Sequence, residues 1–196
     1  MIEVEKKFQL TKEQEARLLD GATFYKQVTN TDVFYDTPDF HYTKDDTWLR
    51  TRNDKYELKI RIHEIGKGNK GTIYDEITDE QRIREILKLE NNISMAEAIE
   101  HAELQPFARI KKERRSYKLK DFRIDIDIYD FGYELAEIEL LVEKPSEARE
   151  AEKRIVALAQ AIGLDQTPQR GKVIEYLYRF DRKHYEALLE AGVADK

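Results

Sequence analysis

From its second residue the chain alternates in character. Ile2, Val4 and Phe8 share one parity and Glu3, Glu5 and Lys7 the other, the period-two signature of a strand with one apolar and one charged face. The alternation returns as Arg50 and Arg52 in WLRTR, and as Glu57, Lys59 and Arg61 in YELKIRI. It is seen again as Lys112 and Arg114 in IKKERRSY, Arg123, Asp125 and Asp127 in FRIDIDI, and Glu137 and Glu139 in AEIEL. Strands are expected over 2–9, 22–35, 47–53, 55–64, 72–78, 106–119, 122–129 and 133–143. Turn residues separate several of them: Asp36-Thr37-Pro38-Asp39, Asn53-Asp54, Lys120-Asp121 and Asp130-Phe131-Gly132. The segment from Gly66 to Gly71 reads as a hairpin loop, because it lacks the spacing and following helix of a phosphate-binding loop.

Elsewhere the period changes to that of helices. Thr11 is placed to cap a helix over 12–20 that Gly21 stops, and Asp79 one that runs to about residue 90 with Ile83, Ile86 and Leu87 on one side. Ser94 and Glu97 fit a capping box. Ser146 is expected to cap a helix with Ile155, Leu158, Ala159 and Ile162 as its apolar stripe and Gly163 as its stop, and 172–180 and 182–190 read as two more helices. These elements predict an α+β fold: an eight-stranded antiparallel β-barrel tunnel with a polar, charged lumen, its apolar outer faces covered by amphipathic helices.

Composition narrows the chemistry. At 196 residues the chain is expected to form a single domain over 1–196. Charged residues make up 38% and no apolar run has the length of a membrane span, so no membrane partner is expected. The chain enters a charged strand at once, so no signal peptide is expected. There is no cysteine, which excludes disulfides, thiolate metal sites and a cysteine nucleophile and suits the cytoplasm. His41, His63, His101 and His184 show no ligand spacing, so any metal is expected on oxygen donors, which points to Mg²⁺ or Mn²⁺. A net charge of −6 argues against nucleic-acid binding through bulk charge.

The charges also cluster by sign along the strands: Arg with Arg, Asp with Asp, Glu with Glu. Like charges side by side repel, so a compensating ligand or metal is the simpler account than a solvated sheet face. A pocket for a polyanion and its metal ions has this character.

Glu3-Val4-Glu5-Lys6-Lys7 resembles the Glu-x-Glu-x-Lys signature of the CYTH superfamily, the triphosphate tunnel metalloenzymes. The likeness extends to Tyr35-Asp36-Thr37-Pro38, to Trp48-Leu49-Arg50-Thr51-Arg52 with Glu57-Leu58-Lys59, and to Lys112-x-Arg114-x-x-Tyr117. It continues through Arg123-Ile124-Asp125-Ile126-Asp127, Asp130-Phe131-Gly132-Tyr133 and Glu137-Ile138-Glu139. Within the superfamily the chain is most similar to animal-type thiamine triphosphatases, through Trp48, the Asp-Phe-Gly-Tyr turn and the tail Lys172-Val173-Ile174-Glu175-Tyr176-Leu177-x-Arg179-Phe180. The 65–71 loop and the 90–105 region do not match clearly.

The resemblance implies a cytoplasmic, monomeric hydrolase with Mg²⁺ as cofactor and Mn²⁺ as a possible substitute. Its substrate is a small-molecule triphosphate, thiamine triphosphate first, cleaved to thiamine diphosphate and phosphate. Inorganic triphosphatase and adenylate cyclase activity on the same scaffold are the alternatives; a non-catalytic polyphosphate-binding module is another, disfavoured by the many carboxylates. Lys7, Arg50, Arg52, Lys59, Arg114 and Lys172 are implied as triphosphate ligands, with Lys112, Arg61 and Arg123 as further candidates. Glu3, Glu5, Asp125, Asp127, Glu137 and Glu139 are implied as the metal set, and Glu3, Glu5, Lys7, Lys59 and Glu139 as the catalytic group. Trp48 is assigned to the organic part of the substrate.

Overall fold

A computed structural model describes residues 2–62 and 73–194. The Gly66–Gly71 segment, His63 and the ends of the two strands expected to flank that segment lie outside the described residues. The chain forms eight strands: β1 (Ile2–Phe8), β2 (Thr23–Asp36), β3 (Thr47–Arg52), β4 (Lys55–Ile62), β5 (Ile73–Ile77), β6 (Gln105–Leu119), β7 (Phe122–Tyr129) and β8 (Tyr133–Val142). Six α-helices accompany them: α1 (Lys12–Leu18), α2 (Glu80–Leu87), α3 (Met95–His101), α4 (Ala148–Ala161), α5 (Lys172–Phe180) and α6 (Arg182–Glu190). The strands are hydrogen-bonded in the order β1-β8-β7-β6-β2-β3-β4-β5. This is the α+β class that the alternation predicts, with antiparallel pairing along the sheet.

Two compact units make up the chain. The first comprises Met1–Asn30 with Lys111–Lys172, the second Thr31–Ile110 with Val173–Lys196. In the first unit the apolar faces of β1, β7 and β8 pack Phe8, Ile124, Ile126 and Ile138 against Ile155 and Ala159 of α4. In the second, Leu49, Leu58 and Ile77 of β3, β4 and β5 pack against Ile83, Leu87, Met95 and Ile99 of α2 and α3. Helices thus cover one face of each set of strands. The opposite face is left to the charged residues, and β7 reads as buried on both sides.

Local signals fix the joints. Thr11 caps α1 in a capping box with Gln14, and Ser94 caps α3 in one with Glu97. Asn53 and Asp54 both adopt positive φ (48° and 66°) in the two-residue β3–β4 turn, as a primed hairpin turn requires. Gly163, at φ 73°, follows α4.

Three expectations are corrected. Ser146 does not cap α4. Residues 145–147 form a short 3-10 turn that moves the N-cap position to Glu147, which makes no side-chain cap bond to α4 and whose carboxylate accepts from the Glu143 and Lys144 backbone N–H groups at 3.1 and 3.2 Å. Helix α2 ends at Leu87 rather than near residue 90, because Lys88 takes a left-handed conformation and closes it. Ile86 is not on the buried side: it is 38% exposed while Ile83 is fully buried. Replacing Ile83 with Ala is expected to cost about 2–5 kcal/mol, and Ile86→Ala about 0.5 kcal/mol or less, in denaturant unfolding. Equal costs would contradict this helix register.

Candidate active site

In the first unit, strand register brings the charged face together. Glu5 stands opposite Glu139 and Lys7 opposite Glu137 across β1–β8. Arg123 faces Glu139 and Asp125 faces Glu137 across β7–β8, and Arg114 faces Asp127 across β6–β7. Asp125, Asp127, Glu137, Glu139 and Lys112 are all buried. Such burial holds only if the charges are paired.

Arg114 provides most of that pairing. Its Nε and Nη2 donate to the two Asp127 oxygens at 2.6 and 2.7 Å, its Nη1 to Asp125 at 2.6 Å and its Nη2 also to Glu137 at 2.6 Å. Asp127 accepts two further bonds, from Lys112 Nζ and the Tyr129 hydroxyl, each at 2.9 Å. Burial would raise the Asp127 pKa, but Arg114 and Lys112 outweigh it and bring it down to about 2. Burial lowers the Lys112 pKa despite the attraction of Asp127. Arg123 bridges Asp125 at 3.0 Å and Glu139 at 3.4 Å. Lys7 is hydrogen-bonded to Glu5 and lies 3.6 Å from Glu137. Burial works against its charge, but Glu137 and Glu5 hold its pKa above the ordinary lysine value.

The carboxylates nearest β1 are less well compensated. Loss of water around the Glu3 carboxyl, reinforced by the charges of Glu139 and Glu5, raises its pKa to about 8. Glu139 is raised as well, by burial first and then by Asp125, Glu5 and Glu137 against the pull of Arg123. A cavity of about 900 Å³ in this unit is lined in part by Arg123, Glu139 and Lys118.

The second unit carries a cationic counterpart on β3 and β4. Arg50 donates to Glu57 through Nε at 2.9 Å. Arg52 grips Asp32 with two bonds of 2.8 and 3.1 Å. Lys59 lies 3.6 Å from Glu76 and 4.3 Å from the centre of the Tyr74 ring. Trp48 shares the strand parity of Arg50 and Arg52, is 7% exposed, and donates its indole N–H to Asp46 at 2.7 Å. Lys172 is the first residue of α5.

The structure thus gathers Glu3, Glu5, Lys7, Arg114, Asp125, Asp127, Glu137 and Glu139 on adjoining strands of one unit. Trp48, Arg50, Arg52 and Lys59 adjoin one another in the other. Sequence reasoning missed Asp32, Asp46 and Glu76, which partner cations from other strands or turns. Asp32 shares the parity of buried Phe34 and Asp36 on β2, a signal that was available. It also missed Ser116, whose buried hydroxyl on the Arg114 side of β6 has no hydrogen-bond partner among the described residues.

Among the described residues no three acidic or imidazole side chains already converge as a metal cage. The donors still fit a hard divalent cation in kind. Glu3, Glu5 and Glu139 are oxygen ligands, and the raised pKa values of Glu3 and Glu139 record crowding that a cation would relieve.

The chain matches the CYTH domain over residues 1–169 and belongs to that family; it is a triphosphate hydrolase. It is 33% identical to human thiamine-triphosphatase across 98% of this chain and 91% of that protein. The thiamine-triphosphatase of Macaca fascicularis is 32% identical over the same shares. A protein from Pyrococcus horikoshii OT3 has the same fold, with a TM-score of 0.68 and 21% identity over 90% of this chain and 99% of that one. So does a Hippeastrum adenylyl cyclase candidate with a dominant triphosphatase activity, at a TM-score of 0.57 and 16% identity over 91% and 94% of the two chains. Among the described residues no helix is long and apolar enough to cross a membrane.

The raised Glu3 pKa has a measurable consequence. The folded protein keeps a proton that the unfolded chain releases near pH 4.5, so stability falls as pH rises from about 4.5 to about 8. In chelator, the melting temperature is expected to drop across that window. Glu3→Gln should flatten the drop, and a divalent cation should offset it most at the alkaline end. A Glu3→Gln profile parallel to wild type would show that Glu3 titrates normally.

Proposed function

We propose that the protein hydrolyses the terminal phosphate of thiamine triphosphate with the help of Mg²⁺, Mn²⁺ being a possible substitute. The observation that carries this reading is the carboxylate face of the first unit: Glu3 and Glu139 stand close to one another and to Glu5, and that crowding with loss of water holds both above the ordinary carboxylate range. A polyphosphate-binding module gains nothing from such a face, whereas a metal-dependent hydrolase needs it. The thiamine assignment draws on the two thiamine-triphosphatase relatives and on Trp48.

In this reading Glu3, Glu5, Asp125, Glu137 and Glu139 hold the cation, with Asp127 beside them. When bound, the cation polarises phosphoryl oxygens. Arg50 and Arg52 clamp phosphate oxygens by paired hydrogen bonds, Arg114 by its charge and its one remaining N–H, and Lys7, Lys59 and Lys172 by point charge. Their present carboxylate partners hold the guanidinium groups in place, so little reorganisation is needed when phosphate oxygens arrive. A carboxylate of the Glu3, Glu5 and Glu139 group takes the proton of the attacking water. The Trp48 indole stacks on the cationic thiazolium, worth roughly 0.5–2 kcal/mol. The whole chain acts as one functional domain, as a cytoplasmic monomer, on a small-molecule substrate.

Phosphate release from thiamine triphosphate, inorganic triphosphate and ATP, measured in parallel, tests the reading. Thiamine triphosphate should be the best substrate, and chelation should abolish turnover. Glu5→Gln and Glu139→Gln should lose activity far more than stability, and Arg52→Ala should weaken substrate binding. Preference for inorganic triphosphate by orders of magnitude would replace thiamine triphosphatase with tripolyphosphatase. Full activity in chelator would remove the metal-dependent reading altogether.

A further inference from the structure

Asp46 stands where the 3-10 turn of residues 43–45 passes into β3, in a left-handed conformation with φ 51° and ψ 36°. Its carbonyl accepts the Arg61 backbone N–H at 3.3 Å, which ties this corner to β4. Its carboxylate is buried, with 6% of the residue exposed. Oδ1 accepts the indole N–H of Trp48 at 2.7 Å. The Tyr74 hydroxyl lies 3.1 and 3.2 Å from the two oxygens, and Arg61 Nη1 is 3.6 Å from Oδ2. The ring of Tyr74 in turn carries the Lys59 ammonium at 4.3 Å. Lys59 is the direct cross-strand partner of Trp48. One carboxylate therefore fixes an indole and, through a tyrosine, the ammonium beside it.

A carboxylate buried at a strand entrance is expensive unless its lone pairs are used. Here they are used on the two aromatic side chains that bracket Lys59. We infer that Asp46 is a positioning residue for substrate selection, setting the spacing between the indole that meets the organic part of the substrate and the ammonium that grips its phosphates. The inference rests on the reading of Trp48 given above. A triphosphate ester carrying a cationic aromatic ring spans both groups, whereas inorganic triphosphate uses only the ammonium. Loss of Asp46 releases the indole, whereas Lys59 keeps the Tyr74 ring at 4.3 Å and Glu76 at 3.6 Å, so the ester is affected selectively.

The variants are Asp46→Gly, which adopts positive φ without strain, and Asp46→Asn, which tolerates that conformation and keeps one oxygen for the indole. Trp48 is the sole tryptophan, so intrinsic fluorescence reports on it alone. Asp46→Gly is expected to lower kcat/KM for thiamine triphosphate about 2- to 30-fold, chiefly through KM, the range spanned by a lost cation–π contact. Inorganic triphosphate hydrolysis should stay within about twofold, and Trp48 emission should shift to longer wavelength. Asp46→Asn should restore the emission and part of the discrimination.

Equal losses on both substrates, or unchanged emission, would overturn the inference. Should Asp46→Gly fail to fold, Tyr74→Phe decides. It should lower thiamine triphosphate turnover selectively, and parallel losses on the two substrates overturn the proposal. If wild type favours thiamine triphosphate and responds to Trp48→Ala but not to Asp46→Gly, only the role of Asp46 is refuted. A wild-type protein that favours inorganic triphosphate instead refutes the thiamine reading and the selection role with it.

Discussion

Arg114 is the residue on which the first unit depends. It donates to Asp125, Asp127 and Glu137 at 2.6–2.7 Å, and from β6 it allows β7 and β8 to place carboxylates on a face with almost no access to water. An isolated carboxylate in that setting costs several kcal/mol. Asp127 shows the compensated case: Arg114, Lys112 and Tyr129 occupy its oxygens and its pKa falls to about 2. Glu3, at the more exposed start of β1, shows the contrasting one, its pKa raised to about 8 by partial loss of water and by the charges of Glu139 and Glu5. The same sheet thus holds a satisfied acid and a frustrated acid a few strands apart. The frustrated one marks where a cation is wanted.

This contrast bears on how the carboxylates divide their work. Asp127 accepts from two guanidinium nitrogens, an ammonium and a phenol, which accounts for the lone pairs a carboxylate offers. Glu3 and Glu139 are instead held above the ordinary carboxylate range by burial and by the neighbouring carboxylates. In the second unit Asp32 plays toward Arg52 the part that Asp127 plays toward Arg114, holding a guanidinium by both oxygens. Rigid, pre-oriented guanidinium groups are suited to phosphate oxygens because no reorganisation is required at the moment of binding.

Much of this was legible in the sequence because strand parity is written into it directly. FRIDIDI alternates isoleucine with charge, and the structure sends Ile124 and Ile126 into the core and Asp125 and Asp127 onto the charged face. The caps at Thr11 and Ser94 were legible for the same reason, since their partners lie three residues away. Pairing across the sheet was not. Asp32 and Glu76 meet Arg52 and Lys59 through strand register, which no local pattern encodes, and Asp46 meets Trp48, two residues on, from a left-handed turn residue that is not glycine. Ile86 was misplaced because an eight-residue helix gives too few turns to fix its buried stripe within one position.

The central claim is that the under-compensated carboxylates on β1 and β8 form the seat of a divalent cation. A crystal structure with Mg²⁺ and a non-hydrolysable triphosphate analogue tests it most directly. The account predicts the ion about 2.0–2.1 Å from oxygens of Glu3, Glu5 or Glu139, with Asp127 still held by Arg114 and Lys112. An ion bound away from these three residues, or one that takes Asp127 from Arg114 while leaving Glu3 and Glu139 without a cation, would contradict it.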